Sequence, residues 1–292
     1  TRPPIINTGD YRIRTTGGNI KFGVPFTEFD TVFFGAGVER TEIQTYTGQA
    51  NYNDSPETFK RYVDSINGVA NDVNNPLSAF STGVHNASAV GIPLTAAWQR
   101  DNRDSALVPT KGRYQRANFE ISPAGDSNYY RATYQHQYFQ PLFGSSTLAL
   151  NGEINYGKGL GGKTYPIFKN FYGGGIGSVR GYESSSLGPK ASNGDPLGGS
   201  SRIILNAELQ FPFPGSGIDR SLRWFTFLDA GNVYADGFGG SLKASAGVGL
   251  SWVSPIGPLK LSFGKPLNAT TSGTAQERDR TQAFQFQLGT GF

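Results

Sequence analysis

The chain has 292 residues, a net charge of +4, no cysteine and no methionine. Charged residues make up 16%, against about a quarter in ordinary soluble domains, while aromatics reach 13% and glycines number 40. Such an aromatic load excludes intrinsic disorder, the missing cysteine excludes disulfides and thiolate metal sites, and no Lys/Arg run marks a nucleic-acid tail.

No apolar run approaches the ~18 residues of a membrane-crossing helix, whereas a barrel strand crosses with only ~9–11 alternating residues. The mean hydropathy of −0.38 does not bear on that second option. With no initiator Met and no signal peptide, the sequence reads as a mature or trimmed chain.

In chain order, alternation predicts strands at 13–26, 31–47, 88–101, 112–122, 128–139, 146–157, 201–213, 221–235, 243–253, 258–266 and 281–292. A helix is predicted at 56–66, inside a long loop. In the strand at 201–213, Ile203, Leu205, Ala207, Leu209, Phe211 and Phe213 share one face. Arg202, Asn206, Glu208 and Gln210 share the other, with Ile204 among them. The strand at 243–253 repeats the pattern, with Val248, Leu250 and Trp252 opposite Ser245, Gly247, Gly249 and Ser251. At the end of the chain, Phe284, Phe286, Leu288 and Phe292 oppose Gln285, Gln287 and Gly289.

Rings sit near strand ends on the apolar faces (Trp98, Tyr138, Phe213, Trp252), and the opposite faces mix Gly, Ser, Asn, Gln and single charges. Short turns at 27–30, 140–146, 214–220 and 254–258 alternate with long loops at 48–87, 158–199 and 268–280; 124–127 is a brief exception on the long-loop side. This is the layout of an all-β transmembrane antiparallel barrel, lipid outside and water within; a soluble all-β fold is the alternative. Closure follows from the solvent, since hydrocarbon leaves no unpaired backbone group satisfied. Single-chain bacterial barrels use even strand numbers, so eleven strands imply at least one more upstream, or one supplied in part by Arg2–Asn7.

Candidate chemistry is sparse. The two histidines, His85 and His136, are too few for a histidine metal centre, and no metal or other cofactor is expected. No G-x-S-x-G elbow supports a nucleophile, and the GGGIG run at 173–177 lacks the lysine of a phosphate loop, so an enzyme is not expected. The informative segment is FYGGGIGSVRGYESSSLGPK, 171–190. Its glycines permit a tight fold-back, and Arg180 tucked into a confined space requires a carboxylate. Glu208 and Asp229 lie on lumen faces; three unrelated solvated charges are the competing reading.

FYGGG, SVRGYES and LGPK, with AELQFPFPG, FLDAGNVY, GVGLSWVSPIGPLKLSFGKPL and FQFQLGTGF, resemble the BamA family of outer-membrane assembly factors. The resemblance implies a sixteen-stranded family barrel, of which residues 1–292 form the C-terminal part from the sixth strand onward. No POTRA domain is visible in the chain. It further implies that Val179, Arg180, Gly181 and Tyr182 form a motif folded into the lumen, with Glu208 and Asp229 as the partners of Arg180. Phe284, Phe286, Gly289 and Phe292 would belong to the seam strand, kinked inward at the glycine. The implied partners are the outer-membrane bilayer, unfolded β-barrel clients and accessory assembly lipoproteins, and the implied location is the bacterial outer membrane. A two-partner secretion translocator and a passive porin are the alternatives.

Overall fold

The computed structural model describes residues 9–69, 78–215, 221–255 and 257–289. The strands are β1 (Tyr11–Pro25), β2 (Asp30–Thr47), β3 (Gly83–Gly91), β4 (Leu94–Asp101), β5 (Gly112–Ser122), β6 (Tyr129–Pro141), β7 (Thr147–Gly159), β8 (Gly181–Tyr182), β9 (Ser201–Pro212), β10 (Leu222–Tyr234), β11 (Lys243–Ser254), β12 (Gly257–Pro266), β13 (Thr281–Gln282) and β14 (Phe284–Leu288). Among the described residues the one α-helix, α1 (Glu57–Ile66), begins just after Pro56, whose fixed φ suits a helix start.

The wall is one antiparallel sheet, in the order β1-β2-β4-β5-β6-β7-β9-β10-β11-β12-β14. Its positions follow the predicted alternation, with two departures. The predicted strand at 88–101 starts earlier, at Gly83, and is broken into β3 and β4, both paired with the long strand β2. Pro93 sits at the break and has no N–H for the ladder; its carbonyl instead accepts from Gly37 N at 2.9 Å. The first long loop therefore closes at Thr82 rather than residue 87.

The second departure is at the last strand. Thr281–Gln282 leave the wall and pair, as β13, with β8 of the 160–200 loop. Only Phe284–Leu288 pair with β12. The loop supplies the backbone partners there: Glu183 N donates to Arg280 O at 3.0 Å. Arg2–Asn7 and Phe292 lie outside the described residues.

The two faces are inverted relative to a water-soluble fold. Phe286 is 68% exposed and Leu205 46%, both pointing out of the sheet. Inside, Thr41, Gln137, Asn155, Glu208, Asp229, Ser245 and Ser262 are buried. Exposing the apolar face is tolerable only against hydrocarbon, and a wall that buries polar side chains needs an interior that satisfies them.

The longer loops lie on one rim, although connection 102–111 on the other rim is longer than the predicted short turns. It reaches across the interior, where Arg223 of β10 donates to the carbonyls of Val108 (3.3 Å) and Pro109 (3.4 Å). At the long-loop rim, α1 packs Phe59, Tyr62 and Val63 against Ile43, Ala79, Ala87 and Ile167. Buried Asp64 accepts from Ala79 N (2.6 Å) and Ser78 Oγ (3.0 Å), tying the loop end to the helix.

Candidate functional site

Between β7 and β9 the chain turns into the lumen. The segment closes on itself through Leu187 N to Gly173 O (2.9 Å) and Ser178 N to Gly175 O (3.0 Å), and presents Arg180 inward. Val179, Tyr182 and Leu187 pack with Ile204 of β9 in a small apolar cluster that seats the tip against the wall.

Arg180 is 2% exposed. Its Nε and Nη2 donate to Asp229 Oδ2 (2.7 Å) and Oδ1 (2.6 Å), a two-pronged fork. Its backbone N–H adds a third bond to Asp229 Oδ2 at 3.0 Å. Nη1 donates to Glu208 Oε1 at 2.5 Å. Asp229 is fully buried on β10 and also accepts from Asn206 Nδ2 at 2.9 Å. Glu208 on β9 accepts from Lys260 Nζ of β12 at 2.7 Å and from Gln210 Nε2 at 3.1 Å. Two carboxylates thus face two cations, all four side chains at most about one-tenth exposed, and each acid oxygen has a donor.

The guanidinium also lies 3.7 Å from the centroid of the Phe227 ring and 5.5 Å from that of Phe225. Both rings share the inward face of Asp229 on β10, and Gly247 and Gly249 on β11 leave the room they fill, where a Cβ would collide with them. A ring face next to a desolvated cation is electrostatically favourable.

Past Arg180, backbone meets backbone. Gly181 has φ +85°, and a Cβ on Gly264 of β12 would lie 2.8 Å from Gly181 N, so both positions require glycine. Tyr182 O accepts from Gln285 Nε2 of β14 at 2.6 Å, and Tyr182 OH donates to Asn268 Oδ1 at 3.1 Å. The loop therefore touches β9, β10, β12 and β14 within a few residues.

Val179, Arg180, Gly181, Tyr182, Glu208 and Asp229 come together in this one site. Phe284 and Phe286 do not join it: they face outward, with Phe284 4.8 Å from the Phe263 ring. Gly289 lies just past β14 with φ +104°, its N–H on Pro258 O at 2.8 Å. Sequence reasoning missed Lys260 and the two inward rings. Both were legible: alternation in PLKLSF sets Lys260 opposite Leu259 and Leu261, and alternation in FTFLDAG sets Phe225 and Phe227 on the face of Asp229. Among the described residues, no group of acids and histidines is placed to hold a metal.

An antiparallel wall with an apolar exterior, a polar interior, long loops on one rim and an arginine loop drawn inside defines a transmembrane β-barrel of the outer-membrane kind. The Omp85 superfamily domain matches residues 6–292, and the chain belongs to that superfamily. It is an outer-membrane protein. Outer membrane protein assembly factor BamA of Neisseria meningitidis serogroup B is 36% identical over 97% of this chain and 37% of its own length. The protein of the same name from Nitratidesulfovibrio vulgaris is 27% identical, over 97% of this chain and 32% of its own. The chain thus spans about a third of the length of these curated relatives. The crystal structure of BamA from Haemophilus ducreyi lacking POTRA domains 1–3 superposes with a TM-score of 0.80 at 25% identity, over 94% of this chain and 54% of that one. CdiB from Acinetobacter baumannii, at 13% identity, covering 95% of this chain and 42% of that one, shares the fold with a TM-score of 0.53.

Proposed function

We propose that this chain is the C-terminal part of the barrel domain of an outer-membrane assembly factor, which folds and inserts β-barrel proteins into the outer membrane. Its clients are unfolded barrel chains, and accessory assembly lipoproteins work beside it. The process forms no covalent bond; the protein acts as template and scaffold. An exposed strand edge offers a client strand unpaired N–H and C=O groups, and pairing there is β-augmentation. The short β14, paired over only Phe284–Leu288 and followed by Gly289 at positive φ, suits an edge that yields.

In this reading the Arg180 loop is an internal brace. The supporting observation is that one loop, through Arg180 and Tyr182, bonds to Asp229, Glu208 and Gln285 on three wall strands. A wall that must open at one seam needs the rest of its circumference held in shape.

The test is reconstitution of the intact protein in liposomes with a urea-denatured barrel client. Client folding well above the lipid-only rate, reduced in Arg180→Ala, is expected. Background-rate folding with large ion conductance would instead identify a porin, and export of a dedicated exoprotein a secretion translocator.

A further inference from the structure

The inturned loop is tied to the wall a second time, at its root. In the 3-10 turn Ile167–Lys169, the Lys169 ammonium lies 2.8 Å from Glu39 Oε1 and 3.0 Å from Glu39 Oε2, on β2, and 3.6 Å from Glu120 Oε1, on β5. Tyr129 of β6, fully buried, donates its hydroxyl to Glu120 Oε1 at 2.6 Å and sits 3.4 Å from Glu39 Oε1. The ammonium stands 5.4 Å from the centroid of that tyrosine's ring.

The turn is wedged in place. Ile167 joins the apolar cluster of α1, Phe168 meets Tyr62 edge-on at 6.0 Å, and Tyr165 OH donates to Lys169 O at 3.0 Å. All three charged side chains are less than one-fifth exposed, so their interactions are only partly screened. Two carboxylates share one lysine. Without it, Glu39 loses its ion-pair partner and two like charges face one hydroxyl, with Arg131 of β6, in register with Glu120, the remaining neighbouring cation.

We propose that Lys169 is a positioning residue that pins the loop root to β2 and β5, and so fixes where Arg180 lands on β9, β10 and β12. This rests on reading the loop as a brace. Two anchors on separate arcs of the wall convert a flap into a strut: with only the Arg180 end held, the root swings, and with only the root held, the tip does.

The chain has no cysteine, so Ile167→Cys makes a single thiol reporter in it, at a buried site beside the anchor. In the intact protein in liposomes, with any cysteine outside this chain replaced by serine, labelling of this thiol by a membrane-impermeant maleimide is expected to be slow with Lys169 or Lys169→Arg. It should be roughly tenfold faster with Lys169→Met, which keeps the bulk and loses the charge, as local opening becomes easier. Adding Glu39→Gln to Lys169→Met should slow labelling again by relieving the repulsion. Unchanged labelling in Lys169→Met, or a defect that Glu39→Gln leaves untouched, overturns the proposal. Client folding measured on the same samples separates the two readings. A loosened root with normal client folding supports the anchor while removing the brace from the assembly function.

Discussion

At the scale of single residues, Arg180 and Asp229 form an ion pair in which both side chains are buried and every charged atom has a partner. Such a pair adds little net stability against a well-packed apolar alternative, but breaking it strands a charge, at about 3–5 kcal/mol. Arg180→Ala and Asp229→Ala are each expected to lower resistance to denaturant on that scale. Together they should cost less than their sum, with a coupling of about 1–3 kcal/mol, since both remove one contact. Full additivity in urea titrations of the detergent-solubilised protein would break the link between them. Arg180→Lys should sit nearer to Ala than to the parent. A lysine keeps the charge but offers no planar fork for Asp229 and no flat face for Phe227.

At the scale of elements, the loop and β12 approach so closely that side chains are excluded on both sides. A Cβ on Gly264 would sit 2.8 Å from Gly181 N and 3.1 Å from Arg180 C, and backbone cannot yield as a side-chain tip does. Gly264→Ala is therefore expected to lift the loop off β12 at a cost of about 1–3 kcal/mol, as overpacking does in tight interiors. The check is the temperature of the heat-induced gel shift, which should fall for Gly264→Ala. It should stay unchanged for Gly239→Ala, a glycine with open space around it and ordinary φ.

Across the fold, the connection before β14 clasps both the inturned loop and the wall. Asp279, on the connection before β14, binds Lys190 of the inturned loop (3.1 Å) and Lys243 at the start of β11 (2.6 Å). Burial alone would raise its pKa, but hydrogen bonds from Lys243, the Thr270 N–H and Lys190 outweigh that and hold the carboxyl below its ordinary value. A carboxyl depressed in the folded loops stabilises them fully above the unfolded pKa of ~4 and progressively less as pH falls through the folded value. Protease resistance of the outer loops should be flat from neutral pH down to about 5 and should fall below that. Asp279→Asn should start lower and lose most of this pH dependence; a variant that tracks the parent would show that other groups titrate there.

Period-two alternation placed the wall strands except at the break near Pro93 and at the last strand, and the inverted faces of Leu205 and Glu208 follow from it, because a side chain's direction in a strand depends only on its position. The helix after Pro56 and the arginine loop were legible for local reasons: a fixed φ in one case, a dense run of glycines around one charge in the other. What alternation cannot express is partnership across the lumen. Lys169 meets Glu39 across 130 residues of chain, Thr281–Gln282 desert the wall for the loop, and Arg180, whose carboxylates the lumen faces had narrowed to Glu208 and Asp229, sets its fork on Asp229. Those choices depend on which side chains the curved sheet brings within 3 Å of one another. Folding in three dimensions alone sets those distances, and a buried charge makes them stringent.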